Sequence, residues 1–324
     1  MMIKVHACGK TREYPEGTPL FTVAEEFQPE FQEDILLARV NGKLKELHKT
    51  LTKESQIEFL TFQDPVGKKT YERSAVFVML KAFYDVIPRE KIKKVQMDFA
   101  LGNGIYGELE GDVALTEELL DRVKEEMHVL VERKLPIVKR SVNTDEAVEL
   151  FGRHGMHDKE QLFMYRRASR VNIYSLKSFE DYYYGYMVPD ASYLSCFDLK
   201  LFEDGFVLQF PPKGQPQTVP EFRPEMKIYH VQRDSMEWGS RLGIPTVGAL
   251  NDFIVQHTAK ELIMIQEAFH EKKDRGDRGT DRSKAGTEDC ADRRTVVFRK
   301  DDLFSPAFDA ALSLWTEAAS DCRR

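Results

Sequence analysis

The 324-residue sequence has few of the features that assign a function directly. Its four cysteines, Cys8, Cys196, Cys290 and Cys322, are scattered and never occur in Cys-x-x-Cys spacing. This pattern argues against a disulfide framework and against a zinc knuckle. No phosphate-binding motif of the form Gly-x-x-x-x-Gly-Lys-Ser/Thr occurs in the sequence as written.

Long apolar runs and an excess of positive charge are also absent. No stretch approaches the roughly 20 apolar residues of a bilayer span, and residues 1–10 contain no apolar signal-peptide core. The formal net charge is -7, whereas a protein that coats nucleic acid needs a basic face to neutralise phosphates. We therefore expect a cytoplasmic protein that binds neither membranes nor DNA, although a local basic pocket is still allowed.

The apolar share of 42% is sufficient for buried cores, and the length suits two or three domains. In residues 1–62 the hydrophobic pattern predicts the element order ββαββ, which is typical of a β-grasp domain. The predicted strands are at 2–7, at 35–40 and at 57–60, with a further short strand after Lys10 that ends near residue 15. The predicted helix covers 19–27.

Residues 68–212 are predicted to form a second, α+β domain. Its predicted helices cover 72–86, 116–134 and 145–151, and its strands lie near 101–106, 171–175, 197–202 and 206–210. Residues 213–273 are interpreted as a linker and a helical segment, with a strand at 227–231 and helices near 236–238 and at 247–270. Residues 274–324 alternate charges and glycines up to Thr295 and, taken as written, indicate a disordered tail.

Two motifs in the first domain, Tyr14-Pro15-Glu16-Gly17-Thr18 and Val40-Asn41-Gly42-Lys43, resemble those of TGS domains. The second domain is similar to the editing-type domain of threonyl- and alanyl-tRNA synthetases. The residues that carry this similarity are Leu101-Gly102-Asn103-Gly104-Ile105-Tyr106 and Leu135-Pro136-Ile137-Val138. The resemblance implies a ubiquitin-like first domain and a synthetase-like second domain.

In the synthetases, this second domain hydrolyses mischarged tRNA at a zinc-type site. That site has a His-x-x-x-His pair on a helix and a cysteine and a histidine on a later loop. The matching positions here are Phe77 and Lys81 on the helix and Tyr183 and Met187 on the loop. None of these side chains is a good zinc ligand, so we expect no metal and no catalytic residue in this domain.

The remaining candidates would line a pocket for a nucleotide or RNA, with tyrosine rings for stacking and cationic groups for phosphates. The candidate ligand-binding residues are Lys81, Asn103, Tyr106, Arg166, Arg167, Tyr183, Tyr184 and Tyr193, with Tyr182 beside them. The alternative is that these side chains simply pack and solvate strand faces and loops. His154, His157 and Asp158 could form a metal-binding trio, but a cation at a helix end is the more ordinary interpretation.

The order of these domains resembles a group of bacterial proteins in which a uridine-kinase-type domain comes next. Residues 294–302 can be encoded so that reading one base later gives Gly-Pro-Ser-Ser-Ser-Gly-Lys-Thr-Thr, a complete phosphate loop. We therefore predict a one-base frameshift near Lys272 and Lys273, which would make residues 274–324 a frameshifted tail. The resemblance implies that ATP and Mg²⁺ belong to the missing kinase domain, and that this chain holds no cofactor and is catalytically incomplete.

Two functions follow from the sequence. The first is the accessory, nucleotide- or RNA-binding half of an ATP-dependent uridine or nucleoside kinase. The second is a stand-alone TGS regulatory module that binds RNA or tRNA. A tRNA-editing hydrolase is disfavoured because the zinc-ligand positions hold Phe77, Lys81, Tyr183 and Met187. The sequence leaves the oligomeric state open.

Overall fold

The computed structural model describes residues 1–256 and 259–281, and the fold is α+β as predicted. The strands are β1 (Met2–Ala7), β2 (Lys10–Pro15), β3 (Leu37–Val40), β4 (Lys43–Glu46), β5 (Ser55–Leu60), β6 (Ile92–Leu101), β7 (Gly104–Gly111), β8 (Val138–Asn143), β9 (Arg170–Leu176), β10 (Phe179–Tyr182), β11 (Asp198–Phe202) and β12 (Gly205–Gln209). The α-helices are α1 (Leu20–Phe27), α2 (Pro65–Val86), α3 (Glu117–Glu132), α4 (Thr144–Arg153), α5 (His157–Met164), α6 (Met226–Arg241), α7 (Val247–Gln256) and α8 (Ala259–Asp281).

The N-terminal sheet has the strand order β2-β1-β5-β3-β4. Its central pair, β1 and β5, is parallel, and the other pairs are antiparallel. Because strand side chains alternate between the two faces, Ile3, Val5 and Ala7 of β1 all point into one core. Four residues of α1, namely Leu20, Val23, Ala24 and Phe27, fill the same core. This is the β-grasp topology predicted for residues 1–62.

Strand β4 is an element that the sequence prediction missed. It follows β3 through Asn41 and Gly42, whose φ angles of 49° and 78° suit a two-residue hairpin turn. The strand itself, Lys-Leu-Lys-Glu, buries only its last residue, Glu46. The hairpin signal was therefore present in the turn, but the strand lacks the apolar alternation that would have identified it.

The second domain contains a four-stranded antiparallel sheet of order β11-β12-β7-β6, and α2 and α3 contribute to the core cluster beside it. A three-stranded sheet of order β10-β9-β8 shares a smaller core with α4 and α5. Strands β8 and β10 and helix α5 were not predicted from the sequence. In β8 only Val142 is buried, so this strand offers almost no hydrophobic pattern.

The predicted strand at 227–231 is wrong, because these residues belong to helix α6. The helical arrangement places Tyr229 and Arg233, four residues apart, on one side of the helix. Tyr229 packs against Phe99, Tyr106 and Phe202 on the four-stranded sheet. These contacts come from tertiary structure and are not visible in the local sequence.

The chain divides into two compact units, the first being Met1–Trp238 and the second beginning at Gly239. The helix predicted over 247–270 corresponds to α7 and the first part of α8. Residues 257 and 258, between these two helices, lie outside the described part. Helix α8 continues to Asp281, so the first eight residues of the predicted tail are helical. The rest of that tail lies outside the described residues, and its assignment stays a prediction. Among the helices that the structure describes, none is long and apolar enough to cross a bilayer.

Candidate functional site

The loop after β10 lies against helix α2, and this contact contains three of the four positions that match the synthetase zinc site. Phe77 is completely buried and packs against Tyr183, with ring centroids 5.5 Å apart and nearly perpendicular planes. Met187 is also buried, and the hydroxyl of Ser74 donates to its sulfur at 3.4 Å. Aromatic rings and a thioether therefore occupy this contact. Within the described residues, no cluster of three or more His, Cys, Asp or Glu side chains could hold a metal ion.

The fourth position, Lys81, does not share this contact with Phe77. Its ammonium donates to Asp85 one turn further along α2. The α2 residue that meets the loop is Arg73, one turn before Phe77, whose Nη1 donates to the carbonyl of Tyr186 at 2.8 Å. Positions four residues before and after Phe77 lie on the same face of the helix, so the spacing alone could not distinguish them. The match of Phe77 and Lys81 to the helical zinc-ligand positions stays a prediction, and the structure adds Arg73 as the α2 residue that contacts the loop.

Gly185 allows Arg73 to approach the loop this closely. Its φ of +133° is a conformation that side-chain-bearing residues rarely adopt, and an added Cβ would lie 2.5 Å from the Cζ atom of Arg73. Burial lowers the pKa of Arg73, although a guanidinium remains protonated at any physiological pH. Arg73 is therefore a fixed positive charge beneath the loop.

A buried carboxylate from the N-terminal domain holds the same loop from the other side. Glu46 is only 2% exposed, and its Oε1 accepts hydrogen bonds from the Tyr174 hydroxyl at 2.6 Å and from the Met187 backbone N–H at 3.0 Å. Its Oε2 accepts from the Lys139 ammonium at 2.9 Å. We call this arrangement of Glu46, Lys139, Tyr174 and Met187 the Glu46 clamp. Burial and the adjacent Glu46 carboxylate raise the pKa of Tyr174, which keeps its hydroxyl protonated as a donor.

The three consecutive tyrosines at the end of β10 have different surroundings. Tyr183 packs inward on Phe77, whereas Tyr184 is 83% exposed. Tyr182 is partly buried and accepts a hydrogen bond of 2.5 Å from Nη1 of Arg166. The Arg166 guanidinium also lies over the Tyr182 ring, 5.2 Å from its centroid, and the neighbouring Arg167 is exposed. We call Arg166, Arg167, Tyr182 and Tyr184 the Arg166–Tyr184 surface.

The other candidate residues lie elsewhere in the first unit. Asn103 is exposed in the turn between β6 and β7, and its backbone carbonyl accepts from the N–H of Phe210. Tyr106 is completely buried, and its hydroxyl donates to Glu108 at 3.0 Å. Tyr193 packs against the main core, and burial, with Asp190 and Asp34 nearby, raises its pKa to about 12. The eight candidates are thus distributed over separate places, and a ligand-binding role for each stays a prediction.

The residues considered as a metal-binding trio each have a partner of their own. His157 Nδ1 lies 3.0 Å from Glu160 Oε2, and Asp158 forms an ion pair with Lys94 at 3.2 Å. His154 follows the C-terminus of α4 and lies 4.0 Å from Glu180. His154 therefore lies where a cation would suit the helix dipole, whereas His157 is the first residue of α5, where a cation would not.

Comparisons with known proteins find threonine–tRNA ligases among the relatives of this chain, and no protein-family model matches it. The chain is 25% identical over 250 residues to the threonine–tRNA ligase of Carboxydothermus hydrogenoformans, an alignment that covers 72% of this chain and 38% of the relative. It is 29% identical over 154 residues to that of Syntrophomonas wolfei, covering 48% of this chain and 24% of the relative. For Symbiobacterium thermophilum the identity is 28% over 193 residues, with coverage of 59% and 29%.

These relatives support a threonyl-tRNA-synthetase-like domain in the chain, at low sequence identity. The chain spans at most 38% of the length of these curated relatives. The similarity therefore concerns a part of each ligase rather than the whole enzyme.

Proposed function

We propose that the first unit is an RNA-binding module and that tRNA is the RNA it recognises. The observation that carries this proposal is the Arg166–Tyr184 surface of the second domain, and the similarity of the chain to parts of threonine–tRNA ligases supports it. This is the regulatory-module function that the sequence offered as its second hypothesis.

The physical properties of this surface suit RNA. The Arg166 guanidinium is held by the Tyr182 hydroxyl and by cation–π contacts with Tyr182 and Phe163. A fixed guanidinium plane loses little freedom when it binds a phosphate in bidentate geometry. The exposed ring of Tyr184 offers a face on which an unpaired base can stack, which is worth about 1–3 kcal/mol per base.

The charge of the chain limits the kind of complex. A net charge of -7 disfavours a broad electrostatic footprint, so the contacts should be few and local. We therefore expect the RNA affinity to fall only slowly with salt concentration, because the protein neutralises a small number of phosphates.

A filter-binding titration with tRNA over a salt series tests this function. The wild-type chain should bind saturably, and Arg166→Gln combined with Arg167→Gln should weaken binding about tenfold and lower the salt slope by about 1–2. Arg223→Gln is the matched control, because Arg223 is an exposed arginine with only a 3.9 Å ion pair to Glu221. Absence of saturable binding, or equal losses in the double variant and the control, would refute the proposal.

We further propose that the parent gene encodes a TGS-containing nucleoside kinase of which this chain is the accessory part. This second candidate is supported by the shifted reading of residues 294–302, which lie outside the described residues. ATP and Mg²⁺ would then be held by the kinase domain and not by this chain. The DNA sequence across codons 270–305 tests it, because codons that forbid the shifted phosphate loop would remove this support.

No hydrolytic step is proposed for the synthetase-like domain. The contact where a zinc ion would be needed contains Phe77, Tyr183 and Met187. These groups supply neither a strong ligand nor a general base for activating water.

A further inference from the structure

A small cavity lies beside the C-terminal turns of α2, the end of α4 and the beginning of β10. Its volume is about 170 Å³. It is lined by Lys81, Tyr84, Asp85, Arg89, His154, Met156, Ser178, Phe179 and Glu180. The cavity is distinct from the Arg166–Tyr184 surface, with which it shares no residue.

Fixed charges of both signs surround this cavity. The Lys81 side chain is only 8% exposed, and its ammonium is paired with Asp85. Arg89 donates to the carbonyls of Ile92 at 2.8 Å and His154 at 2.7 Å, which holds its guanidinium in place. Glu180 supplies a second carboxylate, and Arg140, which does not line the cavity, lies 3.1 Å from it. Apart from His154, the lining has two cationic side chains, Lys81 and Arg89, and two carboxylates, Asp85 and Glu180, so these four charges balance.

Tyr84, Met156 and Phe179 form the apolar part of the lining, beside the polar His154 and Ser178. The ring centroids of Tyr84 and Phe179 lie 5.5 Å apart, with the ring planes inclined by 33°. The Cζ atom of Arg89 lies over the Tyr84 ring, 5.0 Å from its centroid. Met156 adds a flexible thioether, which adapts to irregular ligand shapes. An apolar wall with a few convergent charged groups is the usual composition of a small-molecule site.

Size and charge together restrict the ligand. A volume of about 170 Å³ is below the roughly 300–1,000 Å³ of pockets for drug-sized molecules, so a whole nucleotide is too large. A lining whose charges balance gives no net attraction to a phosphate, whose two negative charges favour sites with excess Arg or Lys. A ligand that carries both charges itself is the best electrostatic match.

We propose that this cavity binds a small zwitterion, namely an α-amino acid with an apolar side chain. Its carboxylate accepts from Arg89 and Lys81, and its ammonium donates to Asp85 and Glu180. Its side chain lies against Tyr84 and Phe179. The proposal is independent of RNA binding, since it uses none of the residues of the Arg166–Tyr184 surface.

Titration calorimetry on the full chain tests the site, with each of the common α-amino acids as a probe and inorganic phosphate and adenosine for comparison. We expect saturable binding of one or more apolar amino acids below about 10 mM. Lys81→Met should weaken that binding at least tenfold, since a charge-assisted hydrogen bond is lost. Lys68→Met is the matched control, because Lys68 forms the same type of i,i+4 pair, with Glu72, on the same helix and outside the cavity.

Ser178→Trp provides a second variant that removes no buried contact, because Ser178 is exposed at the cavity. The indole should obstruct the cavity and abolish binding while the unfolding temperature stays at the wild-type value. The proposal is overturned if no amino acid binds, if phosphate or adenosine binds in its place, or if Lys81→Met and Ser178→Trp both bind as the wild type does.

Discussion

Replacing Glu46 with glutamine should weaken the junction between the β-grasp domain and the synthetase-like domain. The carboxylate of Glu46 accepts three hydrogen bonds from the second domain, and the variant keeps the shape of the side chain while it removes the charge. The Lys139 ammonium, whose side chain is only 14% exposed, would then lack its buried counter-ion.

The size of the effect can be estimated from these contacts. Breaking a buried ion pair by removing one partner costs about 3–5 kcal/mol. Two features reduce this figure, since the glutamine carbonyl can still accept one hydrogen bond and Tyr174 already has the Gly185 carbonyl at 2.7 Å as a second acceptor. We therefore expect a loss of about 2–3 kcal/mol in the free energy of unfolding.

Urea unfolding followed by far-ultraviolet circular dichroism measures this loss. If the free energy of unfolding falls by about 2–3 kcal/mol per molar urea, the urea concentration at the unfolding midpoint should fall by about 1 M. Glu58→Gln is the matched control, because Glu58 is 59% exposed and pairs with Arg39 on the surface of the same domain. That control should change the stability by less than about 1 kcal/mol. If Glu46→Gln unfolds at the same urea concentration as Glu58→Gln, the reasoning about the Glu46 clamp is wrong.

Three further predictions concern other parts of the first unit. Burial and the nearby Glu108 raise the pKa of Asp98 to about 6. Its contribution to stability is therefore present at low pH and is lost as the pH rises through that value. Asp98→Asn should flatten the dependence of stability on pH between about 4 and 7, as measured by thermal unfolding. Tyr229→Ala should expose α6 to amide hydrogen exchange, because it removes the ring that packs on Phe99, Tyr106 and Phe202; unchanged exchange rates would contradict this. Gly185→Ala should lower the melting temperature by several degrees, since a Cβ there meets Arg73 at 2.5 Å and the φ is +133°; a melting temperature equal to that of the wild type would show that the loop adjusts freely.

Much of the fold could be predicted because the hydrophobic periods are clear where one face is buried. In β1 the buried residues alternate strictly, and in α3 the buried residues Leu119, Leu120, Val123 and Met127 recur at helical spacing. The prediction failed where the chain is mostly polar, as in β4 and β8, since such strands are held by their neighbours rather than by their own pattern.

The site could be predicted in part. The filling of the zinc-type position by Phe77, Tyr183 and Met187 follows from the residue types, and the structure confirms that these groups are packed together or buried. The contact of Arg73 with the loop depends on how α2 is rotated against that loop, which the spacing of residues along the helix cannot give. The Glu46 clamp was missed because its partners lie 93, 128 and 141 residues further along the chain, a distance that no local pattern spans.

Photochemical cross-linking of bound tRNA, followed by mass spectrometry of the attached peptides, tests RNA binding at the Arg166–Tyr184 surface most directly. Tyr184 is exposed and should stack on a base, so cross-links should map to residues 182–184 and be lost in Tyr184→Ala. Cross-links that form only in other parts of the chain, or that persist unchanged in Tyr184→Ala, would contradict the account.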